Sequence, residues 1–192
     1  MGRYHFKENF FDASTEVIDV FDESNRPVYQ MSLFYTSGTQ QVMSFMGRQK
    51  HNFKIEDGKN IYTITQEGSI EGRIKTPFST VWDVEKNGRK IGVFSTQMAL
   101  KPRMVFKGVQ GDAITLESGF ISRSVKAKDH SGRVIMTTKS ERFKIASGHD
   151  IHITDGTYNP MMLILLFQGF FEFQEHRRKK SGGGGFDFDF FD

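Results

Sequence analysis

Hydrophobic and polar positions alternate through most of this chain, and near the C-terminus the alternation stops. From about residue 15 to 155, short runs rich in β-branched and aromatic residues are separated by clusters of Gly, Asn, Asp and Ser, the punctuation of successive strands and turns. The clearest unit is 80–84, then 85–90, then 91–94. Within it, Asn87 and Gly88 supply the two positive φ angles that a tight type I′ hairpin turn requires. Two segments follow a similar plan: 17–21 turns through 22–25 into 27–31, and 124–128 turns through 129–132 into 134–138. Further turns are expected at 56–59, 66–68, 109–112 and 147–150, which divides the region into about twelve strand-sized pieces.

Residues 160–173 (PMMLILLFQGFFEF) break the pattern, being apolar on every side of a helix rather than along one stripe. Such a helix must be buried all round. At 1.5 Å per residue it spans about 20 Å, short of the roughly 20 residues that cross a bilayer, and Gln168, Gly169 and Glu172 interrupt it. The remaining solution is enclosure by the chain's own sheet. About twelve antiparallel strands escape exposed edges by closing, and a barrel of that size leaves a lumen that strand side chains alone do not fill. Asn159 suits the helix cap and Pro160 the first helical position. The basic run at 176–180 sits where the helix dipole is negative.

The expected fold is therefore mainly β: a closed antiparallel barrel of about twelve strands enclosing one hydrophobic C-terminal helix. One domain would cover 1–180, with its helix at about 160–178, and 181–192 would be a Gly-rich linker and an acidic–aromatic tail.

Composition adds limits. A length of 192 residues fits a single barrel domain. There is no cysteine, which excludes disulfides, thiolate metal sites and a cysteine nucleophile. The N-terminus lacks a secretory signal's apolar core, and Phe6 departs from the myristoylation pattern. The net charge is +3, and because 181–192 holds three Asp and no base, residues 1–180 carry +6. That balance favours anionic partners.

Candidate chemistry is sparse. His149 and His152 fall on opposite faces of a strand, so with Asp155 they do not read as a metal cluster. No Walker loop, dinucleotide fingerprint or nucleophile elbow is present. No cofactor or metal is expected, and an enzyme would need a site assembled only by folding. The basic residues Arg48, Lys50, Arg73, Lys101, Arg103, Arg177, Arg178, Lys179 and Lys180 are the candidates for holding a phosphate or an anionic lipid headgroup. Aromatic side chains do not interleave with the dense basic run, which argues against nucleic acid. The tail carries Phe186, Asp187, Phe188, Asp189, Phe190, Phe191 and Asp192 on a flexible tether, a composition suited to docking a partner protein or masking the 177–180 patch.

The layout resembles the tubby C-terminal-like superfamily, nearest to its LURP-one-related and bacterial tubby-like members. The residues carrying the likeness are Phe10 and Phe11 ahead of Asp19 and Asp22, the Trp82-Asp83 hairpin, the 124–138 hairpin and the helix at 160–173. The resemblance implies a barrel of roughly twelve strands around a central helix. Animal tubby domains tether to membranes through phosphoinositide headgroups, which implies lipid binding as one role here. Phospholipid scramblases, further relatives, carry a palmitoylated cysteine cluster and a calcium-binding segment that this sequence does not match. The expectation is a non-enzymatic binding or scaffold module, cytoplasmic or peripheral to a membrane. A binder of anionic lipid headgroups is the first alternative, and an enzyme with a folded-only site is the second.

Overall fold

The computed structural model describes residues 1–8, 15–37, 51–66, 80–97, 101–118, 124–142 and 147–182, without side-chain detail for 141, 142, 147 and 176–182. Its first six strands are β1 (Gly2–Glu8), β2 (Ile18–Asp22), β3 (Pro27–Phe34), β4 (Asn52–Glu56), β5 (Ile61–Gln66) and β6 (Val81–Lys86). The second six are β7 (Arg89–Thr96), β8 (Arg103–Gly108), β9 (Ala113–Ser118), β10 (Val125–Asp129), β11 (Val134–Arg142) and β12 (Ser147–Ile153), and a helix, α1 (Pro160–Gly182), follows. Each strand pairs with its sequence neighbours, and β1 closes on β12 in antiparallel register from Gly2 opposite Ile153 to Glu8 opposite Ser147. The sheet is a closed barrel of twelve strands, as the alternation predicts.

Alternation settles which side chains face inward. Phe6, Val20, Met31, Leu33, Phe53, Ile55, Ile64, Val84, Phe94, Phe106, Ile114, Leu116 and Ile151 are all buried and belong to one core cluster with the helix. Leu163, Ile164, Leu165, Leu166 and Phe167 have no exposed surface at all. The helix is the plug that its all-round apolar character requires. It starts as expected: Met161 and Met162 donate their backbone N–H groups to Asn159 Oδ1, at 2.9 and 3.4 Å. It runs to Gly182, beyond the expected end near 178, so that Ser181 and Gly182 are helical.

Gly169 lets the helix press against the β4–β5 side of the barrel. A Cβ there would stand 2.7 Å from Ile64 Cδ1, closer than packed carbon atoms tolerate.

The turns also follow local chemistry. Asn87 (φ 50°) and Gly88 (φ 74°) both adopt the left-handed conformation expected for the β6–β7 hairpin. The β2–β3 and β10–β11 turns share one device. Asp22 Oδ1 accepts from the N–H groups of Ser24 and Arg26, and Asp129 Oδ1 from those of Ser131 and Arg133. In each turn the other carboxylate oxygen holds the arginine guanidinium, at 2.9 Å for Arg26 Nε and 3.1 Å for Arg133 Nε.

The up-and-down order makes the two barrel ends different. At the turn end lie the connections 23–26, 57–60, 87–88, 109–112 and 130–133, together with 154–159 leading into the helix. At the opposite end the strands are joined by 9–17, 35–51, 67–80, 97–102, 119–124 and 143–146. The helix enters from the turn end, after β12, and leaves at the opposite, exit end.

Candidate functional site: the exit end of the barrel

Polar groups inside the barrel gather at the exit end. Glu8, the last residue of β1, points inward and is only 8% exposed. Its Oε1 accepts from Gln168 Nε2 on the helix at 3.1 Å, and its Oε2 lies 3.2 Å from His149 Nε2 on β12. His149 Nδ1 in turn lies 2.9 Å from Ser140 Oγ on β11. A carboxylate only accepts, so Nε2–H of His149 donates to Glu8, and the Ser140 hydroxyl, able to donate or accept, completes the chain at Nδ1. Register explains the meeting: His149 stands opposite Phe6 on β1 and opposite Ser140 on β11, and Glu8 is one inward position further along β1.

The rest of the imidazole is sealed by aromatic rings. Phe6, Phe167 and Phe171 have centroids 4.9, 5.2 and 4.6 Å from the His149 ring. A Ser–His–carboxylate chain invites comparison with a nucleophile relay, but here the serine sits on Nδ1 and the carboxylate on Nε2, with the ring 1% exposed. Its chemistry is that of a buried cross-link tying β1, β11 and β12 to the helix.

Two further contacts hold the helix as it leaves. Glu172 Oε1 meets His51 Nδ1, just before β4, at 2.7 Å. Gln174 Nε2 donates to Ser118 Oγ at the end of β9. The His51 carbonyl also accepts from Trp82 Nε1, at 3.4 Å. The exit half of the helix is thus held at three separate parts of the wall, by hydrogen bonds to Glu8 and Ser118 and by the close His51–Glu172 contact.

The basic candidates divide among described and undescribed positions. Arg48, Lys50 and Arg73 lie outside the described residues, in connections 35–51 and 67–80, whose flanking strand ends are at the exit end. Lys101 is exposed just before β8, at the same end. Arg103 begins β8 on the outer wall, where its NH2 group reaches Glu117 Oε2 at 3.3 Å. Lys128 also pairs with Glu117, and the two cations hold that carboxyl below its usual range, Lys128 contributing most. Residues 177–180 are helical, beyond the last buried helix residue, Gln174. The tail residues Phe186, Asp187, Phe188, Asp189, Phe190, Phe191 and Asp192 lie outside the described residues.

His149 and His152 do fall on opposite faces, one buried and one exposed. What sequence reasoning missed is the inward Glu8–His149–Gln168 group and the His51–Glu172 contact. The only signal for them was the interruption of the apolar helix at Gln168 and Glu172. Among the described residues no cluster of three or more His, Cys, Asp or Glu has the geometry of a metal site. No helix among them is long and apolar enough to cross a membrane.

No curated protein and no solved structure matches the chain significantly. The profile of the Tubby C-terminal like domain, by contrast, matches residues 4–174, from the first strand to the point where the helix leaves the barrel. The closed barrel around a central helix and this match agree: the chain belongs to the Tubby C-terminal like domain family.

Proposed function

We propose that this tubby-like domain is a non-enzymatic binding or scaffold module that takes an anionic ligand, a lipid headgroup at a membrane surface, on the exit end of its barrel. The observation that carries the reading is the charge difference between the two ends. The six connections that join strands at the exit end contain seven Lys or Arg against four Asp or Glu. The helix leaving there adds Arg177, Arg178, Lys179 and Lys180. The six connections at the turn end contain three Lys or Arg and four Asp or Glu. Arg48, Lys50, Arg73 and Lys101 all belong to the basic end, whereas Arg103 is committed to Glu117 and contributes less.

A non-catalytic role is supported by the lumen itself, which the helix fills and in which the Ser140–His149–Glu8 chain is sealed by rings. The module works on the cytoplasmic side in this reading, and its acidic–aromatic tail gives a partner protein a second point of contact.

Vesicle flotation tests the lipid assignment. The chain should float with vesicles containing phosphatidylserine or a phosphoinositide, and not with phosphatidylcholine alone. A basic side chain near an anionic surface contributes about 1 kcal/mol. Arg48→Glu with Lys50→Glu should therefore weaken binding by more than about tenfold. Equal flotation with neutral and anionic vesicles, or none with either, would overturn the assignment.

A further inference from the structure

The outer wall formed by β10, β11, β12 and β1 gathers four basic side chains that hold no carboxylate among the described residues. Arg3 and Lys7 on β1, Lys126 on β10 and Lys139 on β11 are all exposed, and among the described residues none of the four makes an ion pair. On other strands Lys54 holds Glu56 at 3.0 Å and Lys90 holds Asp83 at 2.5 Å, while at the β9 border of the wall Lys128 of β10 shares Glu117 with Arg103 of β8.

Register brings these cations together. Arg3, His152, Thr137 and Lys126 form one row across the four strands, and His5, Asp150 and Lys139 form the next. Strands lie about 4.8 Å apart and alternate residues about 6.7 Å apart, so the patch measures roughly 15 by 15 Å. Asp150 is the outward carboxylate of the patch whose side chain is described, Glu141 of β11 falls in the row of Lys7 by register, and His5 stacks on Phe21 at 5.4 Å.

We infer that this wall is the docking surface for the chain's own acidic C-terminal segment, residues 186–192. Charge selects the occupant. The segment holds three of the chain's acidic residues and no basic one, and Asp187 and Asp189 are two apart. In an extended backbone that spacing is the one separating Arg3, His5 and Lys7 along β1. A closed barrel offers no free strand edge. The segment therefore lies across the wall through side-chain contacts, and its hold is salt-sensitive.

The chain is long enough. The helix overhangs its last buried residue, Gln174, by about 12 Å at Gly182. The ten residues that follow span at most about 35 Å. That reaches back over the rim to Lys7 and Lys139, which lie nearest the exit end of the wall. Docked there, the tail leaves the basic exit end open, whereas a tail folded on residues 177–180 would cover it.

The absence of cysteine makes a direct test clean. Phe191→Cys, carried in the full chain and tagged with a nitroxide, broadens amide signals within about 20 Å of the tag. At low salt the amides of β1, β10, β11 and β12 should lose more than half their intensity, while those of β4 to β7 keep theirs. High salt, or Lys126→Glu with Lys139→Glu, should restore the lost intensity with the dispersed spectrum of the folded barrel intact. Broadening confined to the end of the helix, or spread evenly over the barrel, would overturn the inference. So would a pattern that the charge reversals leave unchanged.

Discussion

The two halves of the central helix are held by different physics. From Met161 to Phe167 every side chain is apolar and buried, so this half gains its stability from area and packing alone. From Gln168 onward the helix carries Gln168, Glu172 and Gln174, each meeting a polar group on a different stretch of wall. Packing of Leu, Ile and Met tolerates small slides and rotations at modest cost, whereas directional hydrogen bonds do not. The first half therefore explains why the helix is inside, and the second why it sits at one depth and one rotation. The end that is fixed this way is the basic one, where the proposed ligand binds.

The largest expected effect is at the apolar half. Phe167→Ala removes a ring with no exposed surface that also packs on Phe6 and His149, and should cost about 3–5 kcal/mol in chemical denaturation. A loss below about 1 kcal/mol would mean that the helix is not enclosed.

Glu8→Ala comes next. It strands Gln168 Nε2 and His149 Nε2 in a buried setting, each worth about 1–3 kcal/mol. Glu8→Gln should cost less, because Oε1 survives as an acceptor. If Glu8→Ala is neutral in the same denaturation assay, the difference between the two halves disappears.

Gly169→Ala tests where they meet. The added methyl collides with Ile64 Cδ1 and should destabilise by about 1–3 kcal/mol, against the usual gain from alanine in a helix. Ile64→Val removes that atom, so the double variant should recover part of the loss. Equal penalties with and without Ile64→Val would place the strain elsewhere.

The smallest effect belongs to the turn end. Asp129 is pushed down to about 2, chiefly by the Ser131 hydroxyl and then by Arg133. A carboxyl whose folded value lies below its unfolded value stabilises at higher pH. That contribution is complete above about pH 4 and is lost as the pH falls through 2. Melting temperatures of the wild type and Asp129→Asn should therefore converge between pH 4 and 2. A gap unchanged over that interval would show that the turn does not depend on the ionised form.

What was legible in the sequence was what is local. The β6–β7 turn follows from two adjacent residues, the strands from alternation, and the buried helix from the absence of any polar stripe. Closure followed by elimination, since twelve strands without an enclosed edge would aggregate. The polar group was not legible, because Glu8 and Gln168 are 160 positions apart and become neighbours only when β1 pairs with β12. The turn expected at 147–150 is instead the start of β12, and reading His149 as one of several turn and strand polar residues set it on the face opposite His152 but gave none of its partners. The helix continues past its expected end because Ser181 and Gly182 only weaken a helix that is anchored inside the barrel.

Hydrogen exchange of the helix amides addresses the enclosed helix most directly. If Met161 to Phe171 lie inside a closed barrel, their amides should open only with the whole fold, as slowly as the innermost strands and far more slowly than residues past Gln174. Exchange of those amides ahead of the strands, with the sheet still protected, would contradict it.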